Sequence, residues 1–169
     1  MRIRRSLSTV ALLAAILAQA VTPICALAAG QSRESLAVVR AWSRSTAPGA
    51  SVGVAYFEIV NAGAADTLVR IECPLAQRVE MHSTAIIDGM MQMRPTPTVE
   101  IPAGGRVVFR PGGLHAMLIE LKAPLEEGRR VPLTLVFRRA GSVRIEAIIQ
   151  GLGTTSAPAE SDFDGQHHD

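Results

Sequence analysis

The sequence is poor in cysteine and has no long run of basic residues. Cys25 and Cys73 are its two cysteines, and Cys25 lies in the apolar N-terminal stretch. If that stretch is removed, Cys73 remains alone and no intrachain disulfide can form. The sequence also lacks the paired carboxylates, Ser-His-Asp set, Cys-x-x-Cys pair and phosphate-binding glycine loop that would indicate catalysis. We therefore predict that the protein is not an enzyme and has no nucleic-acid partner.

The N-terminal residues have the pattern of a secretory signal peptide. Three arginines precede an apolar run that is too short for a membrane-spanning helix, and small residues follow. We predict a signal peptide over residues 1–28, with Ala26-Leu27-Ala28 as the favoured cleavage site and Ala18-Gln19-Ala20 as the second choice. Thr22-Pro23-Ile24 is a poor match for the residues that precede a lipid-anchored cysteine, so we do not predict an anchor at Cys25. We expect no stable membrane insertion.

Removal of this leader leaves a nearly neutral chain. The precursor has 17 Lys and Arg residues against 15 Asp and Glu residues. The leader contains three arginines and no acidic residue, so the mature chain has 14 basic and 15 acidic residues and a net charge of −1. This balance gives no sign of a polyanionic partner.

From residue 36 onward, short apolar runs alternate with Gly, Pro, Asn and Asp, and no window sustains a helical period. This rhythm is typical of a β-sandwich or Greek-key barrel. We predict a single all-β domain over residues 29–153. Its strands are expected near residues 36–43, 51–60, 67–72, 78–86, 90–94, 98–101, 105–110, 114–121, 132–138 and 142–149.

Several side chains in this domain are predicted to serve packing. The aromatic residues Trp42, Tyr56, Phe57 and Phe109 occur singly at strand spacing, which is typical of core or edge positions. Cys73 is interpreted as a buried structural cysteine rather than a reactive thiol.

After Gly153 the sequence becomes polar and acidic, and we predict a disordered tail over residues 154–169. His167 and His168 are a candidate for a weak additional metal site. A solvated polar terminus is the favoured interpretation of this pair.

Histidine and methionine are concentrated between residues 81 and 117. This stretch contains every methionine except the initiator and both histidines that lie outside the tail. Thioether sulfur is a soft ligand and neutral imidazole a borderline one. A cluster of the two with neither thiolate nor carboxylate nearby therefore favours Cu(I) over zinc, magnesium or calcium.

The first half of the cluster is predicted to form a hairpin. Asp88-Gly89 is a strong two-residue turn signal, and a turn there makes positions summing to 177 face each other. His82 then opposes Pro95 and Thr84 opposes Met93. His82 and Met93 become diagonal neighbours on one face, roughly 7–8 Å apart at the backbone.

The second half of the cluster is a predicted strand that begins after Pro111-Gly112-Gly113. His115 and Met117 are two residues apart, so they share one face of that strand. A metal site requires this strand to lie beside the hairpin. Met81, Met90 and Met91 are interpreted either as packing residues or as a soft rim around the site.

Three other interpretations of the cluster remain open. A blue-copper electron carrier would need a cysteine ligand beside two histidines, and Cys73 is not near His115 in sequence. A metal-free secreted β-sandwich could use the methionines as an apolar contact patch. A copper-binding protein could also serve sequestration or resistance rather than supply.

The spacing of His82, Met93, His115 and Met117 resembles the H-x10-M-x21-H-x-M signature of the periplasmic PCu(A)C copper chaperones. Further stretches resemble the family outside these positions, and together they span about residues 40–149. They are A-W-S-R, Y-F-E-I-V-N-A-G, A-Q-R-V-E-M-H, M-R-P, I-P-A-G-G, P-G-G-L-H-A-M-L-I-E-L, P-L-E-E-G and L-T-L-V-F.

The resemblance implies a cupredoxin-like β-sandwich with a shallow, solvent-accessible Cu(I) site in which His82, Met93, His115 and Met117 are the ligands. It further implies a periplasmic carrier, which we predict to be a monomer. The expected recipients are the cytochrome c oxidase subunit that carries the copper A centre, or a Sco-type protein. The tail lacks the Met-rich and His-rich extension of some family members, so the resemblance does not extend to a second copper site there.

Overall fold

The computed structural model describes residues 35–157, so the predicted signal peptide and residues 158–169 of the predicted tail lie outside it. The described chain is all-β. Its ten strands are β1 Leu36–Arg44, β2 Val52–Asn61, β3 Asp66–Glu72, β4 Ala76–Ile87, β5 Met90–Pro95, β6 Val99–Ile101, β7 Arg106–Phe109, β8 Leu114–Leu121, β9 Arg130–Phe137 and β10 Gly141–Gln150.

Each of these strands was predicted, and each begins and ends within two residues of the predicted bounds. The reason is the density of turn residues, since glycines with positive φ stand at the ends of several strands. Gly89, Gly128 and Gly141, for example, have φ values of 78°, 82° and 77°. Such backbone conformations disfavour residues with a Cβ, so glycine fixes where the chain reverses. Within residues 35–157, no helix is long and apolar enough to cross a membrane.

Hydrogen bonds join the ten strands into one sheet, in the order β5-β4-β8-β7-β2-β1-β10-β9-β3-β6. β2 is also paired with β8, so it contacts three neighbours. Buried side chains of β2, β4 and β8 share one hydrophobic core with those of β3, β9 and β10. The sheet therefore folds over itself, and its two halves form the predicted sandwich.

The core follows the two-residue alternation of the strands. In β9, the side chains of Val131, Leu133, Leu135 and Phe137 are all buried. The four aromatics of β1, β2 and β7 are buried as predicted, and they form two ring pairs. Phe57 and Phe109 stack with centroids 4.2 Å apart, and Trp42 and Tyr56 pair at 4.6 Å.

Candidate metal centre

The β4–β5 hairpin has the predicted turn and the predicted register. Asp88 and Gly89 both have positive φ, 52° and 78°, as a two-residue hairpin turn of the primed type requires. His82 pairs with Pro95 and Thr84 pairs with Met93. His82 and Met93 are therefore diagonal neighbours on the same face of the sheet.

β8 lies directly beside β4, which is the juxtaposition that a shared site requires. In this antiparallel pair His82 opposes His115, and Glu80 opposes Met117. The two imidazole centroids are 6.0 Å apart, with the rings inclined at 63°. Met117 is a diagonal neighbour of His82, on the side away from Met93.

The shared face points away from the hydrophobic core. Met81, Ala116 and Leu118, which alternate with the site residues along β4 and β8, are buried in the core. His82 and His115 therefore project to the outside of the sandwich. Met81 is a packing residue, which resolves one of the ambiguous methionines.

Exposure differs strongly among the four predicted ligands. His115 is 6% exposed, the side chain of His82 is 13% exposed and Met117 is half-buried. Met93, on the edge strand β5, is 54% exposed. The candidate site is thus most accessible at Met93, while its imidazoles are largely shielded from water.

Each imidazole has one nitrogen in a hydrogen bond. His82 Nε2 lies 3.1 Å from Glu80 Oε2, and His115 Nδ1 lies 2.9 Å from the carbonyl oxygen of Gly113. Among the side chains of residues 35–157, His82 Nδ1 is the one buried nitrogen or oxygen that has no hydrogen-bond partner. Buried polar atoms without a partner are rare in folded proteins.

A charged network lies on one flank of the site. Arg78 donates to Glu80 at 3.0 Å and to Glu120 at 2.7 Å. The hydrogen bond from Arg78, followed by that from His82, lowers the pKa of Glu80. The same two carboxylates raise the pKa of Arg78. Glu80 is therefore a carboxylate anchored by an arginine on one side and bonded to a candidate ligand on the other.

Glu80 corrects the sequence prediction, which treated the cluster as free of nearby carboxylates. The signal was present in Val79-Glu80-Met81-His82, because residues two apart in a strand share a face. Whether Glu80 lies beside the candidate site depends on which strand pairs with β4, and the local sequence does not show that pairing.

The opposite flank is apolar. Ile86 and Met91 oppose each other in the hairpin on the face of the site, and both are 74% exposed. Together with Met93 they form a patch that we call the hairpin patch. Met90 is also exposed but lies on the other face of β5. Met90 and Met91 are thus not core residues.

The donor set limits which metal this face can hold. Among residues 35–157 there is no group of three or more His, Cys, Asp and Glu side chains placed to hold a metal ion. Cys73 is a free, buried thiol in the hydrophobic core, as predicted, and its burial raises its pKa. The thioethers of Met93 and Met117 lie on the same face as the paired imidazoles, and thioether sulfur is a soft ligand that favours Cu(I).

Comparison with known sequences gives a match over most of the domain. Residues 36–149 match the family described as "Putative lipoprotein LpqE-like". The "Putative lipoprotein Lxx21020" of Leifsonia xyli subsp. xyli (strain CTCB07) is 31% identical over 139 residues, which cover 80% of this chain and 82% of the relative.

Comparison with solved structures identifies the fold. The apo PCuAC domain of PmoF2 superposes with a TM-score of 0.62 at 23% identity, covering 73% of this chain and 95% of that domain. The solution structure of Cu(I)-DR1885 from Deinococcus radiodurans superposes with a TM-score of 0.56 at 29% identity, covering 75% of this chain and 85% of that one. The predicted cupredoxin-like all-β fold is confirmed.

Proposed function

Because the chain belongs to the LpqE-like family and PCuAC domains are among its structural neighbours, we propose that it is a copper chaperone. We propose that it binds Cu(I) through His82, Met93, His115 and Met117. The observation that carries the proposal is the direct pairing of His82 with His115 across β4 and β8. Met93 and Met117 are diagonal to His82 on opposite sides of this pair.

The chemistry of these side chains suits a carrier. Two neutral imidazoles and two thioethers form a soft, uncharged set of ligands that favours Cu(I) over harder ions. Methionine forms no disulfides in an oxidising compartment, although oxidation to the sulfoxide would destroy its value as a ligand. The exposure of Met93 supports release, because an incoming recipient can reach that side of the ion first.

One of the similar solved structures supports copper as the metal that this protein carries. DR1885 is described in its Cu(I) form and is 29% identical to this chain. The use of the H-x10-M-x21-H-x-M positions as ligands in this chain is our proposal, supported by the pairing of β4 with β8.

Export is supported by the descriptions of the family and of the Leifsonia relative, both of which name a lipoprotein. We propose that the protein acts in the periplasm. Cleavage after Ala28 gives a mature chain that begins at Ala29, whereas a lipoprotein would begin at an acylated Cys25. The intact mass of the mature protein distinguishes these two forms, because only the second contains Cys25 and lipid.

The proposed recipient is a copper-accepting protein, either the cytochrome c oxidase subunit with the copper A centre or a Sco-type protein. The hairpin patch supports a protein partner, since Ile86 and Met91 are large apolar side chains exposed beside Met93. A recipient that covers this patch would approach the ion from its open side.

The decisive experiment is an anaerobic Cu(I) competition titration of single variants. Met93→Leu removes an exposed thioether without leaving a cavity, so we expect it to fold normally and to bind Cu(I) at least about tenfold more weakly. His115→Ala should abolish tight binding. Met90→Leu is the matched control, because Met90 is also an exposed methionine, 63% against 54% for Met93, and lies on the other face of the same strand. Equal affinities for Met93→Leu and Met90→Leu would refute the proposed ligand set.

A second candidate function is a metal-free interaction module, and the exposure of Ile86 and Met91 favours it. Equilibrium dialysis separates the two functions, since a metal-free module retains no Cu(I). Sequestration or resistance is distinguished by transfer, because a chaperone passes Cu(I) to an acceptor domain within minutes of mixing and a sequestering protein retains it.

A further inference from the structure

Glu80 touches a proposed ligand without being one. We infer that Glu80 is a positioning residue that fixes which nitrogen of His82 faces the metal, so that His82 binds through Nδ1 and His115 through Nε2. This inference rests on the proposed function and adds to it a residue and an assignment of nitrogens that the ligand motif does not contain.

The hydrogen bond of His82 to Glu80 determines which ring nitrogen carries the proton. A neutral imidazole has one N–H donor and one acceptor nitrogen, and an ionised carboxylate can only accept. The 3.1 Å contact with Glu80 Oε2 therefore places the proton on Nε2 and leaves the lone pair on Nδ1. That same Nδ1 is the buried atom without a partner in the described chain. An unprotonated, shielded nitrogen of this kind is what a metal ion would satisfy.

His115 has the reverse arrangement. Its Nδ1 lies 2.9 Å from the carbonyl oxygen of Gly113, which also can only accept. Nδ1 of His115 is therefore the protonated nitrogen, and Nε2 carries the lone pair. The two histidines, directly opposed at 6.0 Å between centroids, thus offer different nitrogens to one ion.

Glu80 is itself held in place, as a positioning residue should be. Arg78 donates a hydrogen bond to its other carboxylate oxygen at 3.0 Å. Metal-binding histidines commonly donate their second N–H to a carboxylate or to a backbone carbonyl, and loss of that partner weakens metal binding about 10–100-fold. Glu80 and the Gly113 carbonyl supply one partner of each type.

The first test reads the imidazole nitrogens directly. The ¹⁵N-labelled full chain is examined by two-bond ¹H–¹⁵N correlation NMR, at a pH at which both rings are neutral. Without metal, we expect the Nε2–H form for His82 and the Nδ1–H form for His115. On addition of Cu(I), which is diamagnetic, the shifts of His82 Nδ1 and His115 Nε2 should change most. Binding through the opposite nitrogen of either ring would overturn the assignment.

The second test compares two carboxylate deletions within one network. Glu80→Ala should remove the preference of His82 for the Nε2–H form and weaken Cu(I) binding about 10–100-fold. Glu120→Ala is the matched control, because it removes a carboxylate from the same arginine but leaves the contact with His82 intact. Its Cu(I) affinity should remain within about twofold of the wild type, well below the 10–100-fold effect of losing the partner of a ligand. Both side chains are exposed, so both variants should fold, which thermal unfolding checks.

The outcomes separate this inference from the proposed function. If Met93→Leu weakens binding while Glu80→Ala behaves like Glu120→Ala, the ligand set stands and the role of Glu80 is wrong. If the wild type binds no Cu(I), both are wrong. X-ray absorption that finds an oxygen ligand lost in Glu80→Ala would make Glu80 a direct ligand and would also overturn the inference.

Discussion

At the scale of single residues, the one thiol of residues 35–157 is buried in the hydrophobic core and is not part of the proposed copper site. Cys73 lies in the hydrophobic core, and burial raises its pKa, with backbone hydrogen bonds at Leu75 and Ala76 acting in the opposite direction. A neutral thiol is a poor nucleophile and a poor metal ligand. The proposed site therefore relies on thioethers, and a blue-copper centre has no available thiolate in residues 35–157.

This raised pKa predicts a dependence of stability on pH. A thiol that is harder to ionise in the folded protein contributes stability that is fully present below its unfolded pKa, near 9.0, and is lost as pH rises through the folded pKa. The free energy of unfolding of the wild type should therefore fall more steeply above about pH 9 than that of Cys73→Ala. Urea unfolding across this range measures both slopes, with a reductant present. Parallel slopes would contradict the prediction.

Asp66 makes a different kind of contribution, because its buried carboxylate joins two parts of the fold. It accepts hydrogen bonds from the backbone N–H groups of Thr67, Arg139 and Ala140 at 2.7, 2.9 and 2.9 Å. Asp66→Ala leaves these donors unpaired, and we expect a loss of about 2–4 kcal/mol in the free energy of unfolding. Chemical denaturation measures this loss. Glu146→Ala, which breaks an exposed ion pair, should cost less than about 1 kcal/mol and serves as control.

At the scale of elements, the β4–β5 hairpin shows how much of the site local sequence can predict. The turn chemistry of Asp88-Gly89 determines the pairing, so the placement of Met93 beside His82 follows from the sequence alone. The two-residue alternation of β8 likewise places His115 and Met117 on one face. These are local rules, and they were sufficient for each half of the site.

The contact between the halves could not be predicted from the residues. β4 and β8 are separated in sequence by three other strands, so their pairing depends on how the whole sheet folds around its core. The resemblance to a known family supplied that juxtaposition as an expectation. The bond between Glu80 and His82 and the near-complete burial of His115 depend on side-chain packing after β8 has docked, so neither was predicted.

The hairpin turn can be tested through Gly89. A Cβ at this position would meet no atom within 4 Å, so any cost of substitution comes from its φ of +78° and not from a clash. Gly89→Val should destabilise the hairpin by roughly 1–2 kcal/mol, because a β-branched residue disfavours this conformation. Faster amide hydrogen exchange in β5 and weaker Cu(I) binding should follow, since Met93 loses its position.

Gly89→Asn is the matched control for this prediction. Asparagine tolerates a positive φ, so its hydrogen exchange and Cu(I) affinity should remain close to those of the wild type. If Gly89→Val and Gly89→Asn behave alike in both measurements, the backbone conformation of this turn does not control the site.

At the scale of the whole molecule, the proposed site has two parts that differ in their surroundings. One part lies on a strand in the interior of the sheet, and the other lies on an edge strand. His115 and Met117 lie on β8, which is bonded to β4, β2 and β7 and packed on the core through Ala116 and Leu118. Met93 lies on β5, the last strand of the sheet, which is paired only with β4 among the described strands. Strands at an edge open locally at lower free energy than strands in the interior. In the proposed carrier, copper leaves from the Met93 side, where the hairpin patch can contact a recipient.

This division of the molecule predicts that the C-terminal residues are dispensable for Cu(I). The four proposed ligands lie on β4, β5 and β8, and none lies beyond residue 121. A chain that ends at Ala157 should bind one Cu(I) per molecule with an affinity within about twofold of the full chain, a difference of less than about 0.5 kcal/mol. Metal analysis after dialysis gives the stoichiometry, and competition titration gives the affinity.

The full chain with His167→Ala and His168→Ala separates loss of imidazoles from loss of the segment. A fall to less than one Cu(I) in the shortened chain would mean that the C-terminal residues complete the site, and the four-ligand assignment would then be wrong.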